Sequence, residues 1–298
     1  MTTRIWRAVS TGLGVAMAVA GGACLQPPGV ACGDQWCSDR ESCVSLGPSI
    51  ADQQRVCVTR IIGKSCAVDT ECDPVGICEA GRCRVAQSCA EILLHFPGSA
   101  DDVYSIAPGS TKPFSAVCDM TRDGGGWTLL LKATGDATLK YSASAWTDAS
   151  LLGATDLTTQ PGNAKYQSFL SLPVTTLRGE LDGFRYTKAF AGPTAQQIFL
   201  GSADYVSGFP TFPGDAPSWS TQANCRIFGV NTPFPHTRIR FGWSANEQED
   251  CTSNDTAIGL GLMSDDGQYQ RGAGYACVGP GCVPRVVYSG GDGLLWGK

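Results

Sequence analysis

Three consecutive glycines followed by a tryptophan, Gly124-Gly125-Gly126-Trp127, constrain this chain more than any other stretch. Glycine enters positive φ at no steric cost and lets backbone approach backbone, so the run suits a tight turn pressed against its neighbours. The residues after it, Thr128-Leu129-Leu130-Leu131, continue as a buried strand. Asp-Gly pairs recur at Asp123, Asp182, Asp266 and Asp292 in a chain with 37 glycines. Turns of that kind, set between short apolar runs, predict strands over 127–133, 184–187, 198–201, 237–243 and 257–263. Helix signals are few. Ser88 caps a short apolar-periodic run, Cys89 to Leu94, and a second helix is predicted to start near Lys165-Tyr166-Gln167-Ser168-Phe169-Leu170. The expected fold class is α+β, loop-rich, with a mixed or antiparallel sheet and few helices.

The first residues predict export. Arg4 and Arg7 precede an apolar run from Ala8 to Ala20, too short to span a bilayer and of the right length for a signal-peptide core. Small residues come next, Ala20-Gly21-Gly22-Ala23-Cys24. Two processing routes fit. Cleavage after Ala20 releases a secreted protein, and cleavage before Cys24 leaves a cysteine for lipid attachment, in an imperfect lipobox with Gly21 where leucine is usual. Cysteine arithmetic favours the second. The chain has 15 cysteines, and lipidation of Cys24 leaves an even number, as expected of a secreted chain with no spare thiol. So many cysteines would not stay paired in a reducing cytosol.

The cysteines also divide the chain. Residues 1–23 read as the signal peptide and 24–31, with Pro27-Pro28-Gly29, as a tether. Residues 32–84 hold two four-cysteine units, Cys32, Cys37, Cys43, Cys57 and then Cys66, Cys72, Cys78, Cys83, with few large apolar side chains. Such a segment needs disulfide staples and reads as a protease-resistant stalk. Four cysteines permit three pairings, and spacing does not choose among them. Residues 86–298 form one further domain, within the size range of a single core.

Cys89-Ala90-Glu91-Ile92-Leu93 opens this domain, Val103-Tyr104-Ser105-Ile106 and Pro113-Phe114-Ser115-Ala116-Val117 come after it, and Cys118-Asp119-Met120 leads into Asp123-Gly124-Gly125-Gly126-Trp127. That order resembles the start of the fibrinogen C-terminal domain, a binding module of extracellular recognition proteins. The likeness is close from Cys89 to about Lys132 and loose beyond. There Arg238-Ile239-Arg240-Phe241-Gly242-Trp243-Ser244 and Gly293-Leu294-Leu295-Trp296-Gly297-Lys298 look more like the intelectin-type and bacterial branch of the fibrinogen-related group. The resemblance implies a fibrinogen-like fold, a Cys89–Cys118 disulfide, recognition rather than catalysis, and calcium near the ligand site. Ligand-binding residues of the animal members do not carry over, because a fold transfers better than a ligand.

Composition narrows the chemistry. The formal charge is −5, and no run of bases stands ready to neutralise phosphates, which argues against a nucleic-acid partner. No nucleophile elbow, His-Glu-x-x-His or phosphate loop is present. His95 and His236 are the only histidines, one on the helix pattern and one at a strand entrance, so both read as packed or loop residues and a zinc site is poorly supported. An acidic pair for glycoside hydrolysis cannot be picked from 27 carboxylates.

One charge asymmetry stands out. Between Arg240 and Arg271 there is no base, while Glu247, Glu249, Asp250, Asp255, Asp265 and Asp266 fall there beside Asn246 and Asn254. Hard oxygen ligands on loops suit calcium. Asp250, Asn254 and Asp255 are the candidate calcium ligands, and a solvated acidic loop tied down by Cys251 is the alternative. Cys225 is a candidate partner for Cys251, which leaves Cys277 for Cys282. Asn254-Asp255-Thr256 is also a glycosylation sequon. Sugar binding would need aromatic platforms. Trp219, Trp243, Tyr269 and Tyr275 are available, and Tyr269 and Tyr275, in polar glycine-rich sequence, are the candidates for exposure. The expected protein is an exported, lipid-anchored binder of a glycan or surface polymer. The rival readings are an adhesion module for extracellular protein and a secreted hydrolase.

Overall fold

The computed structural model describes residues 29–32, 35–38, 41–45, 55–59, 62–72, 76–109, 111–182, 184–207, 224–234, 236–246, 248–264, 267–278 and 286–298. The expected signal peptide (1–23), Cys24, Trp219, Glu247, Asp265, Asp266 and Cys282 lie outside them.

Among the described residues the cysteine-rich segment forms three antiparallel hairpins. They are β1 (Gly29–Cys32) with β2 (Gln35–Ser38), β3 (Glu41–Ser45) with β4 (Arg55–Thr59), and β5 (Gly76–Glu79) with β6 (Arg82–Val85). In the second four-cysteine unit the pairing is crossed, Cys66–Cys78 and Cys72–Cys83. This unit packs onto the start of the larger domain. Ile77, 1% exposed, shares a cluster with Ile92, Ile106, Ala116 and Met120. Arg84 grips Glu91 with two nitrogens, at 3.0 and 2.6 Å, and His95 Nδ1 lies 2.7 Å from Asp69 Oδ2.

The larger domain begins with α1 (Cys89–His95), whose cap is the Ser88 hydroxyl accepting from Glu91 N. The Cys89–Cys118 disulfide joins α1 to β8 (Phe114–Asp119). Closing a loop of this length is worth about 3–4 kcal/mol on the chain-entropy model. The domain also contains β7 (Asp102–Ile106), β9 (Trp127–Ala133), β10 (Ala164–Lys165), α2 (Gln167–Ser171), β11 (Thr176–Leu181), β12 (Phe184–Ala189) and α3 (Ala195–Leu200). The rest is β13 (Asp204–Ser207), β14 (Asn224–Val230), β15 (Thr237–Asn246), β16 (Thr256–Ser264), β17 (Tyr269–Val278), β18 (Val286–Gly290) and β19 (Gly293–Gly297). Every described strand pairing is antiparallel and the helices are short, so strand dominates with few helices. The strand expected over 198–201 is corrected. Thr194 and Gln197 form a reciprocal capping box, and 195–200 is the helix α3.

One sheet has the order β12-β11-β19-β9-β8-β7, with β10 also on β9. The last strand of the chain is thus inserted centrally, between β11 and β9. Strand β9 is buried along its whole length because both sheet faces are covered. Trp127 and Leu129 join Val103, Val117, Tyr166 and Trp296 on one face. Leu131 and Ala133 join Leu177, Leu181 and Leu295 on the other, against Phe228, Phe241 and Trp243 of the second sheet.

The second sheet is a simple meander, β13 to β18. Five glycines stand in register across it: Gly229, Gly242, Gly259, Gly274 and Gly290. Gly242, Gly259 and Gly274 have φ of 156°, 144° and 144°, a region essentially confined to glycine. A Cβ on Gly259 would lie 2.3 Å from the Phe241 carbonyl oxygen. The sheet folds over along this row, so Ile239, Leu262 and Tyr269 from one side pack with Ala257 and Ala276 from the other.

Candidate functional site

The acidic loop joins β15 to β16. The Cys225–Cys251 disulfide pins it to β14. Inside the loop, Asp250 accepts from Thr252 N at 3.0 Å, Thr252 Oγ1 at 2.7 Å and Ser253 Oγ at 2.9 Å. These bonds, the Thr252 hydroxyl first, hold its carboxyl below the usual carboxylate range. The Asp250 side chain therefore serves its own turn.

The two asparagines at the loop's ends behave differently. Asn246 is 1% exposed and Asn254 fully buried. Asn246 Nδ2 donates to Asp250 O at 2.7 Å, and Asn254 Nδ2 donates to Cys225 O and Ser244 Oγ, each at 3.1 Å. Those bonds fix both amides, yet among the described residues the two buried Oδ1 atoms meet no donor. A buried acceptor left unmet costs about 1–3 kcal/mol. A hard cation takes such oxygens readily. Asp255, half-buried, comes directly after. Of the expected ligand set, Asn254 and Asp255 turn inward and Asp250 does not, while Asn246 contributes an inward oxygen. With its amide enclosed, Asn254 is closed to glycosylation in the folded chain.

The aromatic platform is corrected in part. Tyr269 is 8% exposed because the folded sheet turns it inward, and the Arg271 guanidinium covers its ring at 4.4 Å. Burial pushes its hydroxyl pKa up. Tyr275 is half-buried beside Cys277 and Ile258. Trp243 is buried 4.2 Å from the Tyr186 ring. Cys66, Cys72 and Cys83 bring their sulfurs together, but all three are in disulfides, which leaves no thiolate there for a metal.

A second feature arises at the triple-glycine turn. Gly124, Gly125 and Gly126 all have positive φ. A Cβ on Gly125 would meet Met120 O at 2.0 Å, and one on Gly126 would meet Ala90 Cα at 2.8 Å. The turn sets Asp123 against Arg178, which is fully buried. The Arg178 guanidinium lies 4.7 Å from the Trp127 ring and 5.0 Å from the Trp296 ring, and pairs with Asp119 at 2.5 Å and Asp123 at 3.2 Å. Arg185 approaches Asp123 at 3.5 Å, and Lys298 Nζ donates to Gly125 O at 2.7 Å. Beside this cluster opens a cleft of about 650 Å³. A smaller cavity of about 290 Å³ is lined by Lys132, Glu180, Asp182 and Asp292, with Lys132 Nζ held by Asp156 at 2.5 Å.

No family model matches the chain, and no curated protein matches it. The described disulfides indicate an oxidising compartment. Among the described residues no helix is long and apolar enough to cross a membrane.

Proposed function

We propose that the chain is an exported, lipid-anchored recognition protein whose 86–298 domain is fibrinogen-related and binds a glycan or other surface polymer with calcium at the loop between β15 and β16. The observation that carries the reading is the pair of buried oxygens of Asn246 and Asn254, without a donor among the described residues, at the ends of a disulfide-pinned loop. Asn246, Asn254 and Asp255 would hold the ion, and its charge would order the loop and offer open coordination to sugar hydroxyls. Lipid on Cys24 would keep the domain at a membrane surface.

Binding rather than catalysis is supported by the pairing of Asp123, the carboxylate that lines the larger cleft, and of the buried Asp119 behind it. Asp119 and Asp123 are taken up by Arg178. A glycan array run with calcium and with chelator tests the reading. Retention of specific glycans that chelator abolishes is the expected result, and no retention in either condition contradicts it.

One observation favours the protein-adhesion alternative. Leu200, Tyr205 and Val206 are 60%, 38% and 47% exposed around the edge strand β13. An exposed apolar edge of this kind can pair with another chain.

A further inference from the structure

We propose that the cleft beside the triple-glycine turn is a second ligand subsite, selective for a carboxylate-bearing saccharide such as a uronic-acid oligomer. It shares with the proposed function only the class of ligand, and none of its lining residues belongs to the calcium loop.

Bases converge at this cleft against the trend of the chain, which is acidic, with 22 bases against 27 acids. Arg178 on β11, Arg185 on the paired strand β12 and Lys298, more than a hundred residues further along, meet at one turn against the two carboxylates of Asp119 and Asp123. Arg178 is consumed below the surface by both carboxylates and two indoles. Its role is to hold Asp123 in place. Asp123 in turn steadies Arg185, whose side chain is 38% exposed and touches that carboxylate only at 3.5 Å. Among the described residues that pair is the only polar contact of its guanidinium, and the fork matches a carboxylate.

The balance of hydrogen-bonding groups points the same way. Lys298 Nζ is bound by two main-chain carbonyls, Gly124 at 3.3 Å and Gly125 at 2.7 Å, and among the described residues by no carboxylate. The Lys298 main-chain oxygen at the cleft edge is already met by Thr175 N, Thr176 N and Thr175 Oγ1. Thr176 and Thr187 add side-chain hydroxyls to the lining. The lining therefore offers the Arg185 fork, hydroxyls that both donate and accept, and the Asp123 carboxylate, 42% exposed beside Arg178 and Arg185. A ligand with one carboxylate and several hydroxyls answers that set better than a neutral sugar or an apolar peptide. The volume falls within the range of small-ligand sites.

The test is calorimetric titration of the whole protein with a trimer of galacturonic acid, in chelator and low salt. A galactose trimer and an oligoglutamate serve as comparisons. The uronate trimer is expected to bind at least about tenfold more tightly than either comparison, and to weaken as salt rises. Arg185→Ala is expected to lose about tenfold or more of that affinity, the usual worth of a charge-assisted hydrogen bond. Arg185→Lys keeps charge but not the fork and is expected to fall between. Both variants should melt with the parent, since Arg178 still holds Asp123. Equal binding of the galactose trimer, equal binding of oligoglutamate, or full affinity in Arg185→Ala would overturn the proposal. Because the titration is run in chelator, its failure is distinct from failure of the calcium-dependent array.

Discussion

The hydroxyls of Thr237 and Ser244 lie 3.1 Å apart although both belong to the single strand β15. An extended strand would separate them by about 23 Å. The contact exists because β15 folds over at Gly242, and its neighbours fold with it along the glycine row. Thr237 Oγ1 also donates to Asn254 O at 2.9 Å, so the fold brings the strand's start to the candidate calcium loop.

Gly259→Ala therefore strikes both the sheet and the loop. The new Cβ would meet the Phe241 carbonyl at 2.3 Å in a backbone region closed to alanine. A loss of about 3 kcal/mol or more is expected in urea unfolding. Gly192→Ala, also at positive φ but with nothing within 4 Å, should cost clearly less.

Arg178→Ala should be among the most damaging single changes, at about 3–5 kcal/mol, because it leaves the buried Asp119 carboxylate without its counter-charge, held only by the Thr121 and Arg122 backbone N–H groups on Oδ1. Adding Asp119→Asn should recover part of the loss. Equal destabilisation of the single and double variants in chemical denaturation would deny the pair this role.

Acid stability should depend on Asp148. Lys165, fully buried, donates to its Oδ1 at 2.9 Å and holds the carboxyl below the ordinary range, with help from Ser150. The ionised form thus favours the folded chain. Its stabilisation is complete above about pH 4 and fades as pH falls toward the lower, folded value. Melting followed between pH 6 and pH 2 should show a shallower acid slope in Asp148→Asn than in the parent. The side chain is 37% exposed, so solvent screening keeps the difference modest.

Local signals are readable in the sequence where they are complete. Trp127–Ala133 stands as predicted, and Ser88 caps α1, because turn chemistry and apolar runs there need no distant partner. Ile198–Gly201 reads as a strand from its apolar run alone, whereas Thr194 and Gln197, three residues apart, carry the capping box that makes it helix. The glycine row is invisible for another reason. Gly229, Gly242, Gly259, Gly274 and Gly290 have irregular sequence spacing and align only through the register of five strands. Tyr269 departs from its expected exposure by the same cause, since the fold along that row buries it. The basic cleft has no linear signature because Arg178, Arg185 and Lys298 are not a run. Asn246 and Asn254 are visible as neighbours of the acids, but their enclosed oxygens depend on which way their amide nitrogens are tied.

Calcium at the loop between β15 and β16 is the central claim, and thermal melting with calcium and with chelator tests it most directly. A ligand held only by the folded chain stabilises by about 2.7 kcal/mol at a hundredfold excess over its dissociation constant. Millimolar calcium should raise the melting temperature, chelator should reverse the rise, and magnesium should substitute poorly because it demands a tight octahedron. Asp255→Asn should remove the shift, whereas Asp250→Asn should spare most of it. A melting temperature indifferent to both calcium and chelator would contradict the account and leave the loop a solvated acidic turn.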